Sequence, residues 1–244
     1  EPATSPLIWK QQGQAIVGVA YEDRLGISVA ISADAMILVV GAPGLYNLDN
    51  QTDYVGRTGY VKVYYVDDED WSLSQPLGQY NYGDTVDDYF GLSVSISSDG
   101  KILAVGSPGY YELNDRPGYV RVYYLESNGL TSSWKQLGQD IIGEAVGDLF
   151  GYSVSLSDDG KTLAIGARSN DGNGVFSSHV RVYRMDDSST SWTQLGEDID
   201  GEASYDNLGY SVSLSADGTT VAIGAPGNDD NGLDSGHVRI FSIK

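Results

Sequence analysis

The chain has 244 residues, 34 of them acidic and 14 basic, for a net charge of −20 at neutral pH. So negative a surface repels phosphate backbones and anionic headgroups, which argues against nucleic-acid and membrane-surface partners, and no apolar run is long enough to span a bilayer. Cysteine is absent, so neither a disulfide framework nor a thiolate metal site is available.

Residues 1–7 carry two prolines among small polar residues and read as an exposed leader ahead of one domain over 8–244. The chain starts at Glu1 rather than Met, which fits a processed product or an excised piece. A short strand with Trp9 is expected over Ile8 to Gln12. A glycine-bounded loop then runs to Asp23-Arg24-Leu25-Gly26.

At Gly26 begins a stretch that occurs four times. Its clearest copy is Gly209 to Gly227, GYSVSLSADGTTVAIGAPG, and the others start at Gly26, Gly91 and Gly151. A recurrence near 60 residues with strand-like content means a repeat architecture. Each copy opens with period-two alternation, as in Ile27, Val29 and Ile31. It turns at Asp99-Gly100, Asp159-Gly160 or Asp217-Gly218, a hairpin signal because the glycine supplies positive φ. The first copy has Asp34-Ala35 instead, and a different turn type is expected there.

The returning strand ends at Gly41-Ala42-Pro43 or its equivalent, and proline takes the chain out of the sheet. After a polar loop comes a third strand, Tyr60 to Tyr64, with copies at 119–123, 179–183 and 237–241. A fourth strand carries Trp71, Trp134 or Trp192. Each unit is therefore a four-stranded antiparallel meander, with cores near 26–65, 91–124, 151–184 and 209–242. Such units predict an all-β fold, a propeller of four blades. One face of the first two strands is large (Val154, Leu156, Leu163, Ile165) and the other small (Ser153, Ser155, Ala164, Gly166), which lets neighbouring blades nest. The last unit stops after its third strand. The strand at Trp9 is expected to complete it, within one molecule or from a neighbouring one. A part of a longer propeller is the third possibility.

Phe150-Gly151, Phe90-Gly91, Gly41-Ala42-Pro43 and Gly224-Ala225-Pro226 resemble the FG-GAP repeats of the integrin α-subunit propeller. The Trp-x-Gln-Leu-Gly lead-in is similar to repeat proteins of microbial and algal surfaces. The resemblance covers Trp9 to Phe241 and speaks to fold more than to function. Calcium-binding members of that family hold the ion in the first hairpin, on an Asp-x-Asn-x-Asp-Gly-x-x-Asp loop. Here the hairpin is Ser-x-Asp-Gly, whose oxygens fall short of the roughly six to eight that calcium takes. Those sites are not carried over.

Asp229, Asp230, Asn231 and Asp234 form the best cation candidate, with calcium as the ion. The competing account is a solvated Asx-turn loop. Asp23, Asp88, Asp148 and Asp206 each fall three residues before the core glycine. Their recurrence in every blade points to capping of backbone N–H groups rather than catalysis, with Lys62, Arg121, Arg181 and Arg239 as expected partners. His179 and His237 stand where Tyr60 and Tyr119 stand in earlier copies, so packing is expected of them. Asn50 heads the only glycosylation sequon, and Thr4 and Ser5 beside prolines are weaker candidates for O-linked sugar. Ser215-x-Asp217-Gly218 partly resembles the structural Asp-box of sialidase propellers. No HExxH, GxSxG or phosphate loop is present.

The expectation is a non-enzymatic extracellular structural or adhesion module, in one version the self-assembling subunit of a surface fibre. Its partners would be copies of itself or a surface protein or glycan. A monomeric propeller binding a glycan or divalent cation is the second reading, and a carbohydrate-active enzyme the third.

Overall fold

The computed structural model describes residues 8–11, 13–44, 58–66, 73–79, 81–109, 116–127, 132–188 and 190–243. Asn50, Trp71, Thr4 and Ser5 lie outside them. Four antiparallel sheets are arranged as the blades of a four-blade propeller. Blade 1 holds β1 (Ser28–Ile31), β2 (Ile37–Ala42), β3 (Tyr60–Val66), β4 (Leu73–Pro76) and β5 (Asn81–Tyr82). Blade 2 holds β6 (Ser93–Ile96), β7 (Ile102–Ser107), β8 (Tyr119–Ser127), β9 (Ser132–Gln136) and β10 (Ile141–Ile142). Blade 3 holds β11 (Phe150–Leu156), β12 (Thr162–Ala167), β13 (His179–Asp186), β14 (Ser191–Gln194) and β15 (Ile199–Asp200). Blade 4 holds β16 (Ser211–Leu214), β17 (Thr220–Ala225) and β18 (His237–Ser242). The two-residue strands β5, β10 and β15 pair with the third strand of their blade, a detail that the four-stranded expectation lacked.

Alternation sets which face is buried against what. Val154, Ile165 and Arg181 are register partners on one face of blade 3, and Ser153, Gly166 and Val180 on the other. From blade 2 onward, the large face of each blade packs on the small face of the blade before it. Leu156, Leu163 and Ile165 meet Ala104, Val120 and Val122 in one core, and Val221 and Ile223 meet Ala164 and Val180 in the next. Each such face is stabilised by about 25 cal/mol for every Å² of apolar surface removed from water.

Hydrogen bonds also cross between blades, two sets of them repeating along the whole array. Ser28, Ser93 and Ser153 donate Oγ–H to the carbonyls of Gly91, Gly151 and Gly209, at 2.7, 2.8 and 2.7 Å. The hairpin turns link in a row, Ala33 N to Ser98 O, Ser98 N to Asp158 O and Asp158 N to Ala216 O.

The two ends of the array keep open faces. Val29 and Ile31 are 64% and 55% exposed, although their counterparts Val94, Ile96, Val154 and Leu156 pack in blade-to-blade cores. Val238 and Ile240 are 68% and 71% exposed, whereas Val120 and Val122 are fully buried. The strand expected at Ile8 to Gln12 does not complete blade 4 in this structure. Residues 8–11 form no strand, Trp9 is 101% exposed, and β18 pairs with β17 alone among the described residues. The chain leads from there into the loop at Asp23 to Gly26, which Gly44 N to Asp23 O and Gly26 N to Gly41 O hold on blade 1, and blade 1 presents an open face there rather than the edge of blade 4.

The hairpin turn is also corrected in detail. Gly100, Gly160 and Gly218 end four-residue turns, each N–H donating to Ser97, Ser157 or Ser215 O. The serine hydroxyl donates to the turn aspartate, as from Ser157 to Asp159 at 2.6 Å. Ala35 adopts this same turn at φ +60°, its N–H bonded to Ser32 O. Cooperative pairing of β1 with β2 outweighs the local steric penalty.

Candidate functional site

The loops before each inner strand and those after the Gly-Ala-Pro strand end share one face. Gly44, Gly109, Ser169 and Gly227 each donate N–H to the carbonyl of the recurring aspartate, Asp23, Asp88, Asp148 or Asp206. The four aspartates are buried and their carboxylates turn back on their own loops. Asp23 Oδ2 accepts from Val19 and Ala20 N, Asp88 Oδ2 from Asp84 and Thr85 N, Asp148 Oδ2 from Ala145 N, and Asp206 Oδ2 from Glu202 and Ala203 N.

A second partner distinguishes the blades. In blades 1 and 2 the hydroxyls of Tyr60 and Tyr119 donate to Asp23 and Asp88, at 2.8 and 3.0 Å. In blades 3 and 4 that tyrosine is His179 or His237, and the donor is instead Asn170 to Asp148 or Asn228 to Asp206, at 3.0 and 3.4 Å. The histidine and the Asn/Asp-rich loop therefore come as a pair. Where the ring has lost its hydroxyl, the loop supplies an amide.

The in-strand arginines take other acids than the recurring ones. Arg121 donates to Asp140 at 2.7 and 2.8 Å and to Asp84 at 2.9 and 3.1 Å. Arg181 bridges Asp198, at 2.7 and 2.9 Å, and Glu144. Each guanidinium joins the loop that enters its blade to the linker that leaves it. These bonds hold the carboxyls of Asp84 and Asp198 below the usual carboxylate range. Arg239 is held more loosely, 3.7 Å from Glu202 and bonded to Asp200 O. Glycine-to-proline punctuation hid these clamps, since Asp140 and Asp198 sit in the linkers rather than in the repeated core.

Two groups place His beside two carboxylates, with ligand atoms all within 4.8 Å of one another: Glu144, His179 and Asp198, and Glu202, Asp230 and His237. The first is filled by the Arg181 guanidinium, which already neutralises both acids. The second has no such bridge as tight and is open to solvent. Of the predicted cation loop, the structure brings only Asp230 to this cluster. Asp229 accepts from Asp234 N at 2.7 Å, Asn231 N donates to Ser235 Oγ, and Asp234 sits at φ +51°. The Asp229 carboxylate thus serves an Asx-turn within this loop.

A feature not foreseen is Arg168, which stands where the other copies have Pro43, Pro108 and Pro226. Its guanidinium carbon lies 4.6 Å from the Tyr152 ring centroid and 5.3 Å from that of Tyr210, and the two rings are 5.3 Å apart. The break in the repeat was its visible signal. Burial and the Tyr210 hydroxyl raise the Tyr152 phenol. Of the repeat tryptophans, Trp134 and Trp192 are buried between blades and Trp9 is exposed.

The FG-GAP repeat model matches residues 143–183 and 199–241. Over those two stretches, in blades 3 and 4, the chain matches FG-GAP repeats. Its propeller resembles the periplasmic gluconolactonase PpgL of Pseudomonas aeruginosa, at a TM-score of 0.57 and 19% identity, over 89% of this chain and 53% of that one. It also resembles hydrazine synthase of Kuenenia stuttgartiensis, at a TM-score of 0.48 and 18% identity, over 88% and 58%. The chain thus spans about half the length of the gluconolactonase. No individual curated protein matches. The gluconolactonase likeness corrects the expectation of a non-enzyme: an enzyme uses this fold, and missing linear motifs do not exclude catalysis by residues gathered from several blades. No helix among the described residues is long and apolar enough to cross a membrane.

Proposed function

We propose that this FG-GAP propeller is an extracellular adhesion module that docks a surface protein through its loop face. One observation carries the reading. The position two residues before the recurring aspartate is exposed and apolar in three successive blades, Tyr21, Val86 and Val146. Tyr205 and Leu233 add further exposed apolar surface on the loops of blades 3 and 4. Clamped carboxylates, Asp84 and Glu144, flank this row. Apolar side chains ringed by polar ones are the make-up of a protein-docking surface. The integrin-like repeats support the same reading by analogy.

Beads coated with the chain should adhere to an extracellular-matrix coating. Beads carrying Tyr21→Ser, Val86→Ser and Val146→Ser together should adhere at least about tenfold less, as for loss of docking hot spots, with an unchanged melting temperature. Equal adhesion by the two would remove the proposal.

A second reading is favoured by the Glu202, Asp230 and His237 cluster: a divalent-cation site, which in a fold shared with a gluconolactonase would act on a sugar lactone. Calcium or manganese should raise the melting temperature, and Asp230→Asn should abolish that rise. A wild-type melt indifferent to both ions, with no lactone hydrolysis in their presence, ends this reading.

A further inference from the structure

A cavity of about 210 Å³ opens between blades 3 and 4, lined by Val182, Leu195, Ile199, Leu214, Val221 and Phe241. The repeat shows what belongs there. Between blades 2 and 3 the equivalent residues Val122, Leu137, Ile141, Leu156, Leu163 and Tyr183 surround Trp192. The Trp192 ring lies over Gly138, where an added Cβ would meet its Cδ1 at 3.1 Å, and Trp134 lies over Gly78 in the same way at 3.5 Å. The next glycine in this series, Gly196, has nothing within 4 Å. Among the described residues, one tryptophan of the same lead-in, Trp9, is not seated in a blade, and it is fully exposed.

The open blade faces tell the same story. Gly91, Gly151 and Gly209 each seat against a valine of the preceding blade: a Cβ added there would meet Cγ2 of Val61 at 3.0 Å, of Val120 at 3.1 Å and of Val180 at 2.9 Å. Gly26 has nothing within 4 Å, and the valine it would require, Val238, is exposed. The blade 1 end is thus shaped to follow a blade 4, and the blade 4 end to precede a blade 1.

We propose that a second copy of this chain is the occupant: its Ile8 to Gln12 strand adds to β18, its Trp9 fills the cavity at Gly196, and its blade 1 covers Val238 and Ile240. The contact is head to tail, so two copies close an eight-blade ring, or more copies extend as a filament. The strand contributes main-chain hydrogen bonds and the tryptophan pocket contributes specificity. Blade 3 fixes the register. Trp192 faces Met185 and Thr193 faces Arg184, so Trp9 faces Ile243 and Lys10 faces Ser242 of the other copy.

Because the chain has no cysteine, Lys10→Cys and Ser242→Cys can be made singly, mixed and oxidised. The expected result is a disulfide-linked pair of one chain of each kind, with little pairing of either variant alone. In parallel the wild type should have a native mass at multiples of 26.2 kDa, and Trp9→Ala should raise the dissociation constant at least about tenfold, as for a central aromatic anchor. Val238→Asp, on an already exposed position, should do the same without a loss of melting temperature. The proposal is overturned if the wild type stays at 26.2 kDa at every concentration, or if the cysteines pair only within a Lys10→Cys/Ser242→Cys double variant, which would place the strand in its own blade 4.

Discussion

Trp192 donates its indole N–H to the carbonyl of Leu137 at 3.2 Å, while Gln139 bonds back to the Trp192 carbonyl at 2.9 Å. An outer strand of blade 3 is thereby stitched to the linker leaving blade 2. The indole body fills the core between them and its one polar atom has a partner, as a buried tryptophan usually does.

Trp192→Ala should therefore destabilise the protein by about 3–5 kcal/mol, the usual cost of emptying an aromatic site. Trp192→Phe keeps most of the apolar contact and loses the hydrogen bond, so about 1–2 kcal/mol is expected. Denaturant unfolding measures both. Equal losses in the two variants would mean that the hydrogen bond, rather than the packing, holds the blades together.

Arg181→Met should cost about 1–3 kcal/mol, since it leaves the half-buried Asp198 without its charged donor while Glu144 relaxes into solvent. If unfolding curves of variant and wild type superimpose, the clamp contributes nothing to folding.

His179 is buried, with Nδ1 3.9 Å from Asp198 Oδ2 and Nε2 without a hydrogen-bond partner among the described residues. Burial first, and then the charge of Arg181, hold its imidazole below the ordinary histidine value, against the opposing pull of Asp198, Glu144 and Asp148. With the folded value depressed, the unfolded chain takes up the proton first as acid is added. The stabilising contribution is complete above about pH 6.5 and is lost as pH falls through the folded value. The melting temperature of the wild type should thus fall relative to that of His179→Tyr between pH 7 and pH 5. A difference that is flat across that range would show that His179 does not titrate with unfolding.

Ala35 holds a left-handed conformation that glycine occupies in the other three copies. Ala35→Gly should stabilise the protein by about 0.5–1 kcal/mol, the relief of backbone strain less the entropy glycine adds to the unfolded chain. A drop in melting temperature would mean that the alanine methyl packs usefully.

Blade number, strand order and the large and small faces were legible from Gly26 onward because a period-two pattern recurring near every 60 residues admits few other folds. The capping aspartates were legible for a related reason, since the backbone N–H groups that their carboxylates accept from lie three or four residues away along the chain. The arginine clamps were not: Arg121 finds Asp84 37 residues away and Asp140 19 residues away, and nothing in linear spacing selects one acid among 34.

The amino-acid order alone determined that this chain builds blades, because alternation and turn chemistry are local properties that each repeat restates. Only the folded structure decided how the ends stand. Whether Trp9 meets Gly196 depends on the angle accumulated over three blade-to-blade contacts, a sum of small packing displacements that no single repeat encodes.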